Sequence, residues 1–171
     1  MARRFFISFL ATLLLRGSAL AESEAGVKAA YLVNFAKFVE WPASAFSSAK
    51  APLVIGIVGR DSVGDELLRA GGVTAGGHPV EVRRISLAEA RECHLVFIPE
   101  SERGDAIIAT LQGSPVLVVG EGDGFTRRGG ALGFVKDGGS LKFEANPKAA
   151  ARNGLTVSAK LLRVARAVID K

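Results

Sequence analysis

The chain has 171 residues, of which 49% are apolar and 23% charged, a composition that excludes a disordered protein and a multidomain enzyme and fits one domain with a sizeable core. One Cys and two His leave few side chains for metal binding, a disulfide framework or imidazole-based catalysis. The formal net charge is +5, but no basic stripe with interleaved aromatic residues accompanies it, so nucleic acid is not an expected partner.

The amino-terminal residues have the three parts of a secretory signal peptide. Two arginines precede an apolar stretch over residues 5–15, and a small-x-small ending closes at Ala21. This stretch is too short to cross about 30 Å of hydrocarbon, so we expect cleavage after Ala21 and no membrane span in the mature protein. The predicted organisation is a signal peptide at 1–21 and a single α/β domain at 22–171. The leader holds three of the 22 cations and no acidic residue, so its loss lowers the net charge from +5 to +2.

Apolar strands and amphipathic helices alternate along the first part of the mature chain. A helix is expected over residues 26–41, where Pro42 ends it, and a loop of small residues then runs to Pro52. The strands predicted after this loop are 53–59, 80–85, 95–99 and 116–120, and the helices between them are 62–70, a brief one that a capping box opens at 86–89, and 106–111.

The alternation of strands and helices ends after residue 130. Two strands flank a turn at 136–139, which is the pattern of an antiparallel hairpin. Asn146 and Pro147 begin a helix that stops at residues 153–154, and Ser158 caps a last helix from 159 to about 169. The expected fold is α/β, a three-layer sandwich with a mostly parallel central sheet and an antiparallel C-terminal hairpin.

The motifs of catalysis and of cofactor binding are absent from the sequence. Gly56 and Gly59 do not have dinucleotide-binding spacing, and the glycine-rich stretch 120–124 lacks the ligand count of a calcium loop. His78 and His94 have no metal-ligand spacing, and both are interpreted as structural or solvent-facing. Neither catalytic residues, nor a metal site, nor a cofactor is predicted, and the chain is not expected to be an enzyme.

The candidate binding residues at the strand ends are inferred from the predicted topology of the sheet. In open parallel sheets, ligands gather beyond the carboxyl ends of the strands. The alternative for the charged residues at the strand ends is that they face water without a ligand. The alternative for the polar or aromatic residues of the first helix and its exit is hydrogen bonding and packing in the core. The candidates for ligand or partner binding are Asn34, Lys37 and Trp41 from the first helix and its exit, Arg60, Asp61, Glu100 and Glu121 at the strand ends, and Leu161 and Leu162 on the last helix.

Residues 31–42, YLVNFAKFVEWP, resemble the opening motif of the YfiR family of exported bacterial proteins. The strand LVIGIVG, the segment 142–146 (KFEAN) and the segment 155–162 (LTVSAKLL) agree with this resemblance, which spans nearly all of residues 25–168. It implies a non-catalytic, periplasmic negative regulator that binds and restrains an inner-membrane signalling protein. The implied partner is a diguanylate cyclase, and the implied result is lower cyclic di-GMP output and less biofilm; a homodimer is implied as well.

One departure from the family concerns cysteine. Family members with redox control carry paired cysteines, whereas this chain has Cys93 alone, so an intramolecular disulfide switch does not transfer. Cys93 is either buried and inert or a link between two chains. The alternative function is a periplasmic small-molecule-binding protein that uses the crevice at the strand carboxyl ends.

Overall fold

The computed structural model describes residues 23–100, 102 and 104–170. The expected leader at 1–21 lies outside these residues. Within the described part of the chain, none of the helices combines the length and the apolar character that crossing a bilayer requires.

The predicted helices and strands appear in the predicted order, and several short elements that the sequence does not predict lie between them. The helices are α1 (Glu24–Lys37), α2 (Ser62–Ala70), α3 (Gly104–Leu111), α4 (Pro147–Arg152) and α5 (Ala159–Val164), with short 3-10 helices at Ala43–Ala45 and Leu87–Glu92. The strands are β1 (Val39–Glu40), β2 (Leu53–Val58), β3 (Thr74–Ala75), β4 (His78–Ile85), β5 (Leu95–Ile98), β6 (Leu117–Glu121), β7 (Leu132–Asp137), β8 (Ser140–Ala145), β9 (Thr156–Val157) and β10 (Ala167–Val168).

Eight of these strands form one sheet in the order β10-β8-β7-β6-β5-β2-β4-β3. The neighbours from β4 to β7 run parallel, as do β8 and β10, whereas β7 and β8 form the predicted antiparallel hairpin. β3 is also antiparallel to β4, and β1 pairs with β9 in a separate two-stranded sheet. The predicted class, a mixed α/β fold with a mostly parallel sheet, is confirmed.

Both faces of the central strands are buried, because their side chains alternate between two apolar clusters. Leu95 and Phe97 of β5 point into a cluster that also holds Phe35 of α1. Val96 and Ile98 point into a second cluster on the opposite face, which α3 covers. Helices on both sides of the sheet therefore give the three layers that the uninterrupted apolar strands predict.

The last predicted helix is wrong in its length. α5 stops at Val164, because Ala165 adopts extended backbone angles, and the chain then continues as β10 beside β8. The Arg166 amide donates to the Phe143 carbonyl at 2.8 Å, and the Arg166 side chain donates to the Glu144 carboxylate at 3.1 Å. Strand pairing covers part of the β8 edge that a continued helix would leave open.

The first helix is also shorter than its apolar pattern predicts. α1 ends at Lys37, and the next residues form β1 instead of a further helical turn. Val39 and Glu40 pair with β9, so the apolar side chain of Val39 stays in the core although the helix has ended. The pairing of β1 with β9 replaces the last predicted helical turn, and the helical period of apolar residues in the sequence does not reveal such a contact between distant segments.

Candidate functional site

The strand ends carry charged side chains at the position where the parallel sheet changes direction. From β2, the chain crosses to β4 on one side, and it later returns to β5 and β6 on the other side. The carboxyl ends of β2 and β5 therefore flank a switch point, where open α/β sheets place their ligands. Asp61 follows β2, Glu100 follows β5, and Glu121 ends β6.

A cavity of about 260 Å³ lies at this edge, and we name it the strand-end crevice. It contains two of the four predicted strand-end residues, Glu100 and Glu121. The first turns of α1 and the hairpin of β7 and β8 both contribute to its lining. The lining residues are Glu24, Lys28, Glu100, Glu121, Gly122, Asp123, Phe134, Val135, Lys136 and Leu141.

Lys28 is the central cation of the strand-end crevice. Its ammonium lies 2.8 Å from a Glu24 oxygen and 2.9 Å from a Glu121 oxygen. The Lys28 and Glu121 side chains are only 12% and 16% exposed, so their charges are largely removed from water. Lys136 closes the outer side with an ion pair to Glu24 at 3.0 Å.

Burial and neighbouring charges set the protonation of these groups. Burial raises the pKa of Glu121, and Asp61 and Glu100 raise it further, although Lys28 opposes the shift. Burial disfavours the charge on Lys28, but its hydrogen bonds to Glu24 and Glu121 outweigh this effect and raise its pKa. Hydrogen bonds from Lys28 and then Lys136 lower the pKa of Glu24. Lys28 thus stays charged and opposes the upward shift that burial gives the pKa of Glu121.

The chemistry of the strand-end crevice suits a cationic or ammonium-bearing ligand better than an anion. Four carboxylates line it against two ammonium groups. The nearby helix α2 offers little to an anion, because the Asp61 carboxylate already accepts from the Val63 amide at 2.7 Å. Among the described residues, no cluster of three or more His, Cys, Asp or Glu side chains has the arrangement of a metal site.

A buried phenylalanine fixes the loop after β6, from which Gly122 and Asp123 line the strand-end crevice. Phe125, which is 2% exposed, lies among glycines, and a Cβ placed on Gly120 or Gly130 would overlap its ring. Asp123 is two residues away, so the packing of Phe125 positions this carboxylate and the end of β6. Glycine is therefore required here for close approach, since any larger residue would displace the ring.

The other strand-end candidates lie apart from the strand-end crevice. Arg60 and Asp61 line a separate open depression with Ser62, Asp65 and Arg84. Arg84 forms an ion pair with Asp65 across this depression. The structure thus divides the four strand-end candidates into two pairs.

Asn34 and Lys37 are exposed and line an open groove between α1 and α2 with a volume of about 1110 Å³. Asn34 is therefore not a core hydrogen-bonding residue, which corrects the alternative interpretation of that position. Trp41 is half-buried at the opposite, amino-terminal edge of the sheet, where its indole N–H donates to the His94 carbonyl at 3.1 Å.

The two leucines of the last helix differ in their surroundings. Leu161 is buried in the cluster beneath α5, whereas Leu162 is half-buried at its border. The exposed apolar side chains of this region are Val164 at 68% and Val168 at 48%.

Sequence reasoning missed Glu24 and Lys28, which bring α1 into the strand-end crevice. Both occur on the polar side of an amphipathic helix, where charged residues normally face water. Their role depends on the packing of α1 on the face of the sheet, which brings Lys28 beside Glu121 at the end of β6, and nothing in the local sequence reports that packing.

The fold and the strand-end crevice define an α/β protein with a charged depression at the carboxyl edge of its sheet. The chain belongs to the YfiR/HmsC-like family, whose model matches residues 25–166, and this confirms the resemblance in the sequence. That family associates the chain with regulators of cyclic di-GMP signalling. No curated protein sequence matches the chain.

Two solved structures share the fold. One, a conserved domain protein from Vibrio cholerae, has a TM-score of 0.59 at 12% identity over 86% of this chain. The other, an ABC domain from Streptococcus pneumoniae in complex with L-Trp, has a TM-score of 0.54 at 16% identity over 82% of this chain. The match spans only 60% of the length of either of those chains. At such identities the likeness concerns the fold alone.

Proposed function

We propose that this chain is a non-catalytic, periplasmic regulator that binds an inner-membrane signalling protein, a diguanylate cyclase, and lowers its cyclic di-GMP output. The observation that carries the proposal is the family match over residues 25–166. The predicted export signal agrees with it, because a protein outside the cytoplasm reaches such an enzyme through the part of it that faces the periplasm.

The mechanism follows from binding alone. A regulator that binds the inactive form of a sensor more tightly than the active form shifts the equilibrium by the difference in affinity. A hundredfold difference is worth about 2.7 kcal/mol and moves an even mixture almost entirely to the inactive form. Neither a covalent step nor a cofactor is required.

The docking surface in this proposal is the carboxyl-terminal segment 159–169. Val164 and Val168 expose apolar side chains there, and the buried Leu161 anchors the segment beneath them. Exposed apolar side chains are suitable anchors for a partner, since their burial on docking supplies binding energy. Leu162, half-buried at the border, extends the same surface.

A substitution at this surface tests the proposal. Val164→Glu places a charge at the centre of the docking surface, and we expect it to reduce co-purification of the cyclase from detergent-solubilised inner membranes at least tenfold. Leu68→Glu is the matched control, because Leu68 is also an exposed apolar helix residue but lies on α2. Equal recovery of the cyclase by both variants and the unsubstituted chain would contradict the docking surface. Failure of all three to recover any cyclase would contradict the function.

The family resemblance also leads us to propose a homodimer. Sedimentation of the purified mature chain at micromolar concentration measures its mass directly. A monomeric mass at every protein concentration up to the one found in the periplasm would refute the homodimer. The co-purification experiment would still test the regulatory function.

A second candidate function is small-molecule binding in the strand-end crevice, which the cavity at Glu100 and Glu121 favours. The excess of carboxylates predicts a ligand that carries an ammonium group. A thermal-shift comparison of polyamines and basic amino acids with dicarboxylates tests this candidate. Stabilisation by amines that Glu100→Gln weakens would support it, whereas no shift with any amine would refute it.

A further inference from the structure

Residues 42–52, which we name the strap, cross the amino-terminal edge of the sheet between β1 and β2. The ring of Phe46 lies stacked between two imidazoles, 3.9 Å from His78 at an interplanar angle of 5° and 4.4 Å from His94 at 15°. Each histidine also holds a carbonyl of the strap: His94 Nε2 lies 3.0 Å from the Ala45 oxygen, and His78 Nδ1 lies 2.7 Å from the Ala51 oxygen. The two histidines therefore hold the strap at Ala45 and at Ala51.

The hydrogen bonds of His94 determine its tautomer. The Val54 amide donates to His94 Nδ1 at 3.0 Å in a buried position. Because a peptide N–H only donates, Nδ1 carries a lone pair, and the proton of the neutral ring is on Nε2, where it is donated to the Ala45 carbonyl. A protonated imidazole would turn an N–H toward the Val54 N–H of β2. The stacked ring of Phe46 and the bond to Ala45 hold His94 in this orientation, so the ring can turn away and accept a proton only when the strap releases it.

The charges around His94 favour the same neutral form. Burial lowers the pKa of His94, the hydrogen bond to Ala45 opposes the shift, and a positive charge on His78 lowers the pKa further. Lys37 from α1 and Glu40 from β1 line the neighbouring cleft beside His78. Among the described residues, the ring of His94 hydrogen-bonds to backbone groups alone, so no carboxylate there offsets its protonation.

We propose that His94 is an acid-sensitive latch, whose protonation releases the strap and Phe46 from the amino-terminal edge of the sheet. The open form binds a proton at the ordinary histidine pKa near 6.5, whereas the closed form binds one only at lower pH. The closed strap is therefore fully favoured above that pH. Below it, the ratio of closed to open chains falls by up to about tenfold per pH unit until the lowered pKa is reached.

Release of the strap would change a second surface of the protein. A cleft of about 250 Å³ borders the strap at Phe46 and is lined in part by Trp41 and His78 as well. Opening would expose these rings at the edge opposite the strand-end crevice. The latch is a property of the isolated chain, so it stands or falls separately from the proposed cyclase partner.

The tryptophan of the chain provides the assay. Trp41 is the single Trp in the sequence, and its indole donates to the His94 carbonyl, so its fluorescence reports the state of the strap. We expect the emission of the mature chain to change between pH 7.5 and 4.5, with a midpoint below 6.5 and an unchanged far-ultraviolet circular dichroism spectrum. The change should report local opening, because global unfolding would alter both signals.

Two substitutions assign the transition. His94→Asn keeps an acceptor near the position of Nδ1 but does not titrate in this range, so we expect it to abolish the change. His78→Asn, the matched control, should retain the change with its midpoint moved upward, because one positive charge and one bond to the strap are lost. A transition that persists in His94→Asn, or an unchanged emission of the parent chain down to pH 4.5, would overturn the latch. Nitrogen NMR of the parent chain at pH 7.5 tests it without a variant, since a proton on Nδ1 of His94 would refute the required tautomer.

Discussion

Replacement of Lys28 by methionine tests the electrostatics of the strand-end crevice. The substitution keeps most of the apolar stem but removes the ammonium that compensates Glu24 and Glu121. Breaking a fully buried ion pair costs about 3–5 kcal/mol, and exposed pairs contribute less than about 1 kcal/mol. Because Lys28 and Glu121 are 12% and 16% exposed at the mouth of a cavity, we expect Lys28→Met to lower the free energy of unfolding by about 2 kcal/mol at pH 7.5.

The pH dependence of this loss has a defined sign. Without Lys28, the already raised pKa of Glu121 rises further, so the folded variant binds a proton at a higher pH than the unfolded chain does. Protonation then favours the folded state, and the difference from the parent chain should shrink as the pH falls from 7.5 to 5. Urea unfolding followed by Trp41 fluorescence measures the difference at each pH.

Two further variants complete the cycle for Lys28. Glu121→Gln combined with Lys28→Met removes both charges and should recover at least half of the lost stability. Lys37→Met is the matched control on the same helix, since Lys37 is exposed, and should change the stability by less than about 0.5 kcal/mol. A Lys28→Met variant as stable as the Lys37→Met control, or a double variant as unstable as Lys28→Met, would show that Lys28 does not compensate Glu121 in the folded chain.

Three further predictions concern packing and buried groups. Gly130→Ala brings a Cβ against the Phe125 ring, and we expect it to lower the free energy of unfolding by about 1–3 kcal/mol; an unchanged urea midpoint would contradict the close approach. Glu144→Gln weakens the ion pair of a buried carboxylate with Arg166 and should lower the free energy of unfolding by about 2 kcal/mol, whereas Glu81→Gln weakens a surface pair with Arg83 and should lower it by less than about 1 kcal/mol. Equal losses of stability in the two variants would contradict this difference. Burial raises the pKa of Cys93 to about 11, so only about one thiol in a thousand is ionised at pH 8. We therefore expect alkylation of Cys93 only when the chain unfolds. Rapid alkylation of the folded chain would show an accessible thiol instead.

The central fold was predictable because its strands carry strong local signals. The runs at 53–58 and 95–98 are apolar on both faces, which only a covered parallel sheet explains. The hairpin was visible in the glycine pair 138–139 between two alternating strands. These elements follow from patterns within a few residues, so no knowledge of the tertiary structure was needed.

The elements that sequence reasoning missed are very short strands. β1, β3, β9 and β10 have two residues each, too few to show an alternating pattern. β1, β9 and β10 exist because distant segments meet, and the same is true of the candidate site. Glu100 and Glu121 were found from strand topology, whereas Lys28 was not, because its partners come together only after α1 has packed on the sheet.

The most direct test of the regulatory account compares two forms of the protein in its own bacterium. A strain that lacks the gene receives either the full chain or a chain that begins at Glu22 behind a start methionine, expressed at equal levels, and cellular cyclic di-GMP is measured. If the protein acts from the periplasm, deletion raises cyclic di-GMP and only the form with the leader restores the parental level. Equal cyclic di-GMP in the deletion strain and its parent, or equal restoration by the form that lacks the leader, would contradict regulation from the periplasm.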